Sequence, residues 1–260
     1  MHPSAANSLV GPSAGGAGPD AEPRQIKRIF LLSHMRAYTS LLGHILGSHP
    51  EIDGYYEMHR SYASVEDLDR QVRDYTELEH PKPGSRHLFD KLLHNDFTLN
   101  LALPGLGDAA ILVALRQPEP TLKSIVSLFA KKGIDDLYAN PAGATAYYVE
   151  RLHALATFGR QQPKRYFYFD AERIRTDTRR LLDDLGRWLQ LESPLTERYQ
   201  LFSQTGTAGK GDSSPAIASG HIIRQESRYP DITLDPALLQ QATQAYRHCR
   251  QLLLASAINA

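Results

Sequence analysis

An unbroken apolar run, Ile29–Leu32, empties into a short polar loop and then into a helix-periodic stretch. This junction, residues 28–54 (RIFLLSHMRAYTSLLGHILGSHPEIDG), limits the folds open to the chain more than any other feature. Consecutive apolar residues suit a strand covered on both faces, as in a parallel sheet, rather than one that alternates between core and water. Leu41, Leu42, Ile45 and Leu46 then recur on one side of a 3.6-residue period, until His49-Pro50 stops the helix. The same order returns at Ala110–Leu115 (AILVAL), which runs into Arg116-Gln117-Pro118-Glu119-Pro120 and a helix carrying Leu122, Ile125, Val126 and Phe129. Proline suits that entry, because the first helical turn has no use for its missing N–H.

Weaker signals fill the intervals. Ile52–Tyr56 reads as a short second strand ending at Glu57, and Ser64 caps a helix with Val65, Leu68, Val72 and Tyr75 on its apolar side. Pro81-Lys82-Pro83-Gly84 breaks that helix, and His87–Lys91 reads as a strand. A long helix follows over 142–160, then an aromatic strand, Arg165–Phe169. Thr176 or Asp177 starts a further helix with Leu181, Leu182, Leu185, Trp188 and Leu189 inward; 203–233 reads as a long loop, and 236–257 as a final helix. Strands alternating with helices predict an α/β fold, a central parallel sheet with helices on both faces. Ligands of such sheets bind at the carboxyl ends of the strands. Residues 1–24, rich in Gly, Ala, Pro and Ser, are expected to form a disordered tail, and 25–260 the α/β domain.

Both strand-to-helix corners look like anion cradles. A helix start presents unpaired N–H groups and the positive end of its dipole. The first corner adds the Arg36 guanidinium and the Thr39 and Ser40 hydroxyls. The second adds Arg116 and, eight residues on, Ser124, about two helical turns away. Two such corners on one parallel sheet suit the two ends of a doubly anionic nucleotide. His34, inside the first loop, either contacts that ligand or packs at the strand end.

Composition excludes several alternatives. A formal net charge of zero over 260 residues argues against a broad basic surface for nucleic acid. No apolar run reaches the roughly 18 residues of a membrane span. The single cysteine, Cys249, cannot form an intrachain disulfide or a cysteine zinc cluster, which fits a reducing, cytoplasmic setting. It falls among apolar positions of the last helix and reads as a buried thiol. The eleven histidines show no ligand spacing, so no metal site is expected.

The pair of corners resembles the sulfotransferases that use 3′-phosphoadenosine 5′-phosphosulfate (PAPS). In that family a strand leads into a loop of the form P-[KR]-S-G-[TS]-[TS] around the 5′-phosphosulfate; Met35-Arg36-Ala37-Tyr38-Thr39-Ser40 occupies the matching place. A second strand leads into R-x-P with a serine eight residues after the arginine, around the 3′-phosphate; Arg116, Pro118 and Ser124 match it. Gly209-Lys210-Gly211-Asp212 is similar to the family's late basic loop, and Phe167–Ile174 to its Tyr-Glu-Asp-Leu turn. The likeness spans roughly residues 27–225. In the first loop Tyr38 replaces the family glycine and Ala37 a serine, so a bulky ring is expected to crowd the phosphate loop.

The resemblance makes the α/β fold one of the P-loop nucleotide-binding type, and it implies sulfuryl transfer from PAPS to a hydroxyl or amine, with 3′,5′-adenosine bisphosphate as product and no metal. It implies donor contacts from Arg36, Ala37, Tyr38, Thr39, Ser40, Arg116, Ser124, Lys210 and Gly211. For the base that takes the acceptor proton it offers Glu57, after the first strand–helix unit, or His94, in Asp90-Lys91-Leu92-Leu93-His94, with Lys91 as a stabiliser of the transferring group. Small-molecule, carbohydrate and lipid acceptors are all compatible. Two other classes share the cradle. A P-loop kinase using ATP lacks support from any G-x-x-x-x-G-K-[ST] sequence, and a non-catalytic nucleotide-binding module is kept open by Tyr38.

Overall fold

The computed structural model describes residues 26–131, 137–207, 214–225 and 228–259. The expected tail, residues 1–24, and the Lys210-Gly211 segment lie outside them. Five strands, β1 (Lys27–Leu32), β2 (Ile52–Asp53), β3 (His87–Leu92), β4 (Ala110–Leu115) and β5 (Phe167–Asp170), form one parallel sheet in the order β2-β3-β1-β4-β5. The helices are α1 (Thr39–Gly47), α2 (Val65–Leu78), α3 (Pro118–Ala130), α4 (Pro141–Gln161), α5 (Arg173–Thr176), α6 (Thr178–Trp188), α7 (Pro215–Ala218) and α8 (Pro236–Ser256). The α/β architecture expected from the alternation is therefore the one observed.

Period-two alternation assigns each strand's side chains to two cores. Phe30 and Leu32 of β1, with Ile111, Val113 and Leu115 of β4, pack under α3, α4 and α8. Ile29 and Leu31, with Leu112, Ala114, Phe167 and Phe169, pack under α1 and α6. Burial on both faces is what made these runs continuously apolar. All nine residues of α1 are buried, so this helix is central rather than peripheral. Ser64 caps α2 through a reciprocal box in which its hydroxyl accepts from the Asp67 N–H and the Asp67 carboxylate accepts from the Ser64 N–H. Cys249 is buried in α8, and burial pushes its thiol up to about 12.

One boundary differs from expectation. The second strand stops at Asp53 rather than Tyr56, because Gly54 turns the chain at a φ of 84°. A Cβ there would collide with the Phe89 carbonyl oxygen, so only glycine fits so close to β3. Glu57 consequently stands in a loop and not at a strand end. The late helix begins as expected, with Asp177 as the N-cap of α6, and a short helix that the sequence reading did not include, α5, precedes it.

The strand order reverses at β1. From it the chain winds outward to β2 and back to β3, then crosses to β4 on the other side. The crevice beyond the carboxyl ends of β1, β3 and β4 is the switch point of the sheet.

Candidate active site at the carboxyl ends of β1, β3 and β4

The β1–α1 loop is wound by two left-handed residues, Arg36 (φ 64°) and Tyr38 (φ 56°). Tyr38 precedes α1, and its side chain makes no capping hydrogen bond. The Tyr38 ring lines the same cavity as the two arginines, with the Arg116 guanidinium 4.4 Å and the Arg175 guanidinium 5.3 Å from its centroid. Its hydroxyl accepts from Arg175 Nη1 at 3.0 Å. Ala37, by contrast, is buried in the α1 core.

Arg36 Nε donates to Ser124 Oγ at 2.9 Å, and Arg116 Nη1 donates to the Arg36 carbonyl at 2.9 Å. The two corners are thus joined to each other directly. Arg36, Tyr38, Thr39, Ser40, Arg116 and Ser124 line one cavity of about 800 Å³, together with Arg175 and Tyr229. The Tyr229 hydroxyl, from the late loop, donates to Ser124 Oγ at 3.0 Å. The rest of the lining mixes apolar side chains, Leu128, Ile217, Ile223, Pro230 and Ile232 among them, with polar ones that include Lys131, Arg228 and Asp231. Guanidinium groups and hydroxyls sharing a cavity with apolar side chains suit a ligand that is part anion and part ring.

Lys91 is 2% exposed, yet its Nζ donates to Ser40 Oγ at 3.1 Å. Alternation along β3 explains this: Phe89 and Lys91 share the face toward α1, and Asp90 takes the opposite one. There the Asp90 carboxylate accepts from the Tyr62 hydroxyl at 2.5 Å and from the Met58 N–H at 3.0 Å. Burial raises Asp90 to about 6 against the pull of those bonds.

Glu57, Lys91 and His94 are not among the residues lining the large cavity. Lys91 reaches it through Ser40, which does line it. The Glu57 side chain is buried, its Oε1 accepts no hydrogen bond, and His59 Nδ1 lies 3.6 Å away. Its charge acts on both Asp90 and His94, so the two candidate bases stand in one neighbourhood. Burial lowers the His94 imidazole, and the Glu57 carboxylate opposes that shift.

His34 is a packed histidine. Its Nδ1–H donates to the Met35 carbonyl at 2.9 Å and its Nε2 accepts the Arg116 N–H at 3.0 Å. Burial holds this imidazole down to about 3, and it is neutral.

The sequence reading passed over α4. Arg151 donates to the carbonyls of Ser33 (2.8 Å) and Leu92 (2.6 Å), tying the ends of β1 and β3 together. Tyr147 accepts the Met35 N–H and donates to the Leu93 carbonyl, both at 2.8 Å, and the Tyr148 hydroxyl reaches the Arg116 carbonyl at 2.6 Å. Tyr147 and Arg151 are four residues apart on one helix face, which is a readable signal for a buried polar stripe. Arg175 and Tyr229 carry no such signal. Among the described residues no group of His, Cys, Asp and Glu converges as a metal site, and no helix is long and apolar enough to cross a membrane.

No family model and no curated protein matches this chain. Solved structures do. The sulfotransferase domain from the curacin biosynthetic pathway is similar with a TM-score of 0.58 and 17% identity, covering 86% of this chain and 99% of that domain. The sulfotransferase domain from the Synechococcus PCC 7002 olefin synthase is similar with a TM-score of 0.56 and 18% identity, covering 88% of this chain and 96% of that one. The chain has the sulfotransferase fold.

Proposed function

We propose that this chain is a sulfotransferase that takes PAPS as donor and a hydroxyl or amine as acceptor. The observation that carries the reading is the union of the two corners: Arg36, Thr39 and Ser40 from one, and Arg116 and Ser124 from the other, face a single cavity. A nucleotide with phosphate groups at both ends of its ribose matches that arrangement, and the apolar side chains in the lining suit its base. The fit is supported by a buried Arg175 Nη2 that makes no hydrogen bond to the protein.

When bound, PAPS supplies a sulfuryl group on a phosphate leaving group. Arg36 and the α1 amides neutralise that phosphate, and Lys91, through Ser40, holds a positive charge beside it. Arg116 and Ser124 bind the 3′-phosphate and set the donor's register. Lys210 and Gly211 are proposed to close over the same phosphate. Glu57, whose buried Oε1 accepts no hydrogen bond within the protein, is our first candidate to take the acceptor proton, and His94 is the second. Cys249 as sole cysteine sets the reaction in a reducing compartment, and we assign the chain to the cytoplasm. The acceptor is a small molecule, carbohydrate or lipid.

Calorimetric titration with 3′,5′-adenosine bisphosphate against ADP, for wild type and Arg116→Ala, tests the reading. Tight bisphosphate binding that collapses in the variant, with ADP weak, is expected. Equal binding of both nucleotides would favour an ATP-using kinase, and bisphosphate binding without transfer a non-catalytic module.

A further inference from the structure

Arg175 was not singled out by any motif, and all of its polar atoms but one have a partner. It stands on α5, one turn after β5. Its Nε donates to the Ile223 carbonyl at 2.8 Å and its Nη1 to the Tyr38 hydroxyl at 3.0 Å. Nη2 is buried and makes no hydrogen bond, and no carboxylate of the described residues pairs with Arg175. A guanidinium cannot shed its charge, and a buried donor without an acceptor is costly enough that native proteins rarely keep one. The orphan atom belongs to a side chain that lines the large cavity.

Tyr38 supplies an independent observation. Its left-handed backbone is unfavourable for a bulky L-residue, and a glycine would hold it without strain. What the tyrosine adds is a ring that Arg116 and Arg175 share. Guanidinium groups 4.4 and 5.3 Å from one ring centroid concentrate positive charge at this part of the cavity wall. A phosphate dianion is the ligand such a pair is suited to.

We infer that Arg175 is a donor-binding residue whose Nη2 takes an oxygen of the phosphate held by Arg116, the 3′-phosphate. Tyr38 is the positioning residue that aims it. The inference rests on the sulfotransferase reading above and assigns to it a third arginine.

The test is calorimetric titration of wild type, Arg175→Ala, Arg175→Lys and Tyr38→Phe with 3′,5′-adenosine bisphosphate and with 5′-AMP, which lacks the 3′-phosphate. Arg175→Ala is expected to weaken bisphosphate binding about 10- to 100-fold, the range for loss of a charge-assisted bond, and to leave 5′-AMP nearly unchanged. Arg175→Lys recovers part of the loss, and Tyr38→Phe, which keeps the ring but not the hydroxyl, loses less than Arg175→Ala. Unchanged bisphosphate affinity in Arg175→Ala overturns the inference. So do equal losses for both nucleotides, which would make Arg175 a staple between Tyr38 and the Ile223 carbonyl. Should Arg175→Ala melt early, Arg175→Lys against Arg175→Gln gives the same comparison. A wild type that binds 5′-AMP as tightly as the bisphosphate overturns the sulfotransferase reading beneath, and is distinguishable because it needs no variant.

Discussion

Arg36 Nε donates to Ser124 Oγ at 2.9 Å across 88 residues of chain, joining the loop after β1 to the helix after β4. The bond makes the two anion corners one structure before any ligand arrives. Arg116 reinforces it by donating to the Arg36 carbonyl, so each arginine is aimed by the other's corner.

Ser124→Ala removes the acceptor for both Arg36 Nε and the Tyr229 hydroxyl. Each bond contributes about 1 kcal/mol, so affinity for 3′,5′-adenosine bisphosphate should fall by roughly tenfold. Titration calorimetry reads this directly, and a variant binding as the wild type does would detach Ser124 from the ligand.

Tyr38→Gly trades strain for contact. The left-handed backbone is relieved by about 1 kcal/mol, offset by the loss of the ring between Arg116 and Arg175. The urea midpoint should therefore move little, while bisphosphate affinity drops. A large loss of stability would show instead that the ring props the loop.

Glu57→Gln should abolish release of 3′,5′-adenosine bisphosphate from PAPS without weakening the fold. A buried carboxylate oxygen that accepts no hydrogen bond is a poor contributor to stability, and the amide removes its charge. A raised or unchanged melting temperature with lost turnover and retained nucleotide binding is expected. If turnover survives and His94→Asn removes it, the base is His94.

Arg151→Met leaves the carbonyls of Ser33 and Leu92 without their cationic donor. Hydrogen bonds to charged groups contribute about 1.5–3 kcal/mol each, so urea denaturation should show a loss of at least about 3 kcal/mol. A loss below about 1 kcal/mol would mean that water replaces the guanidinium.

Stability should depend on pH through two buried groups of opposite sign. His34, held at about 3 in the fold against 6.5 unfolded, binds its proton more readily in the unfolded chain, so acidification from 6.5 toward 3 destabilises. Asp90, raised from 3.8 to about 6, binds its proton more readily in the fold, so acidification from 6 toward 3.8 stabilises. Between about pH 4 and 6 the two oppose each other. Asp90→Asn removes one side, and its stability should rise with pH there more steeply than the wild type's, by up to about 1.4 kcal/mol per pH unit. Identical slopes in urea titrations at pH 4.5 and 6 would exclude this account.

Much of the fold was legible before the structure, and for a local reason. Ile29–Leu32 and Ala110–Leu115 are continuous because both sheet faces are covered, and the helices that follow announce themselves by period. The corner residues Arg36, Thr39, Ser40, Arg116 and Ser124 could be read because position relative to a strand end is also local. The second strand was overextended because Gly54 ends it through a close approach to Phe89, which is a contact between strands and leaves no periodic trace.

Local pattern alone therefore determined the α/β class and the two anion corners. Tertiary structure decided the rest: that Arg116 and Arg175 share the Tyr38 ring, that Lys91 and not Asp90 faces Ser40, and that Glu57 and His94 stand together apart from the large cavity. The reason is physical. Hydrophobic period and turn chemistry depend on neighbours in the chain, whereas the meeting of Arg175 with Tyr38, 137 residues earlier, depends on strand order and register, which only the packed sheet sets.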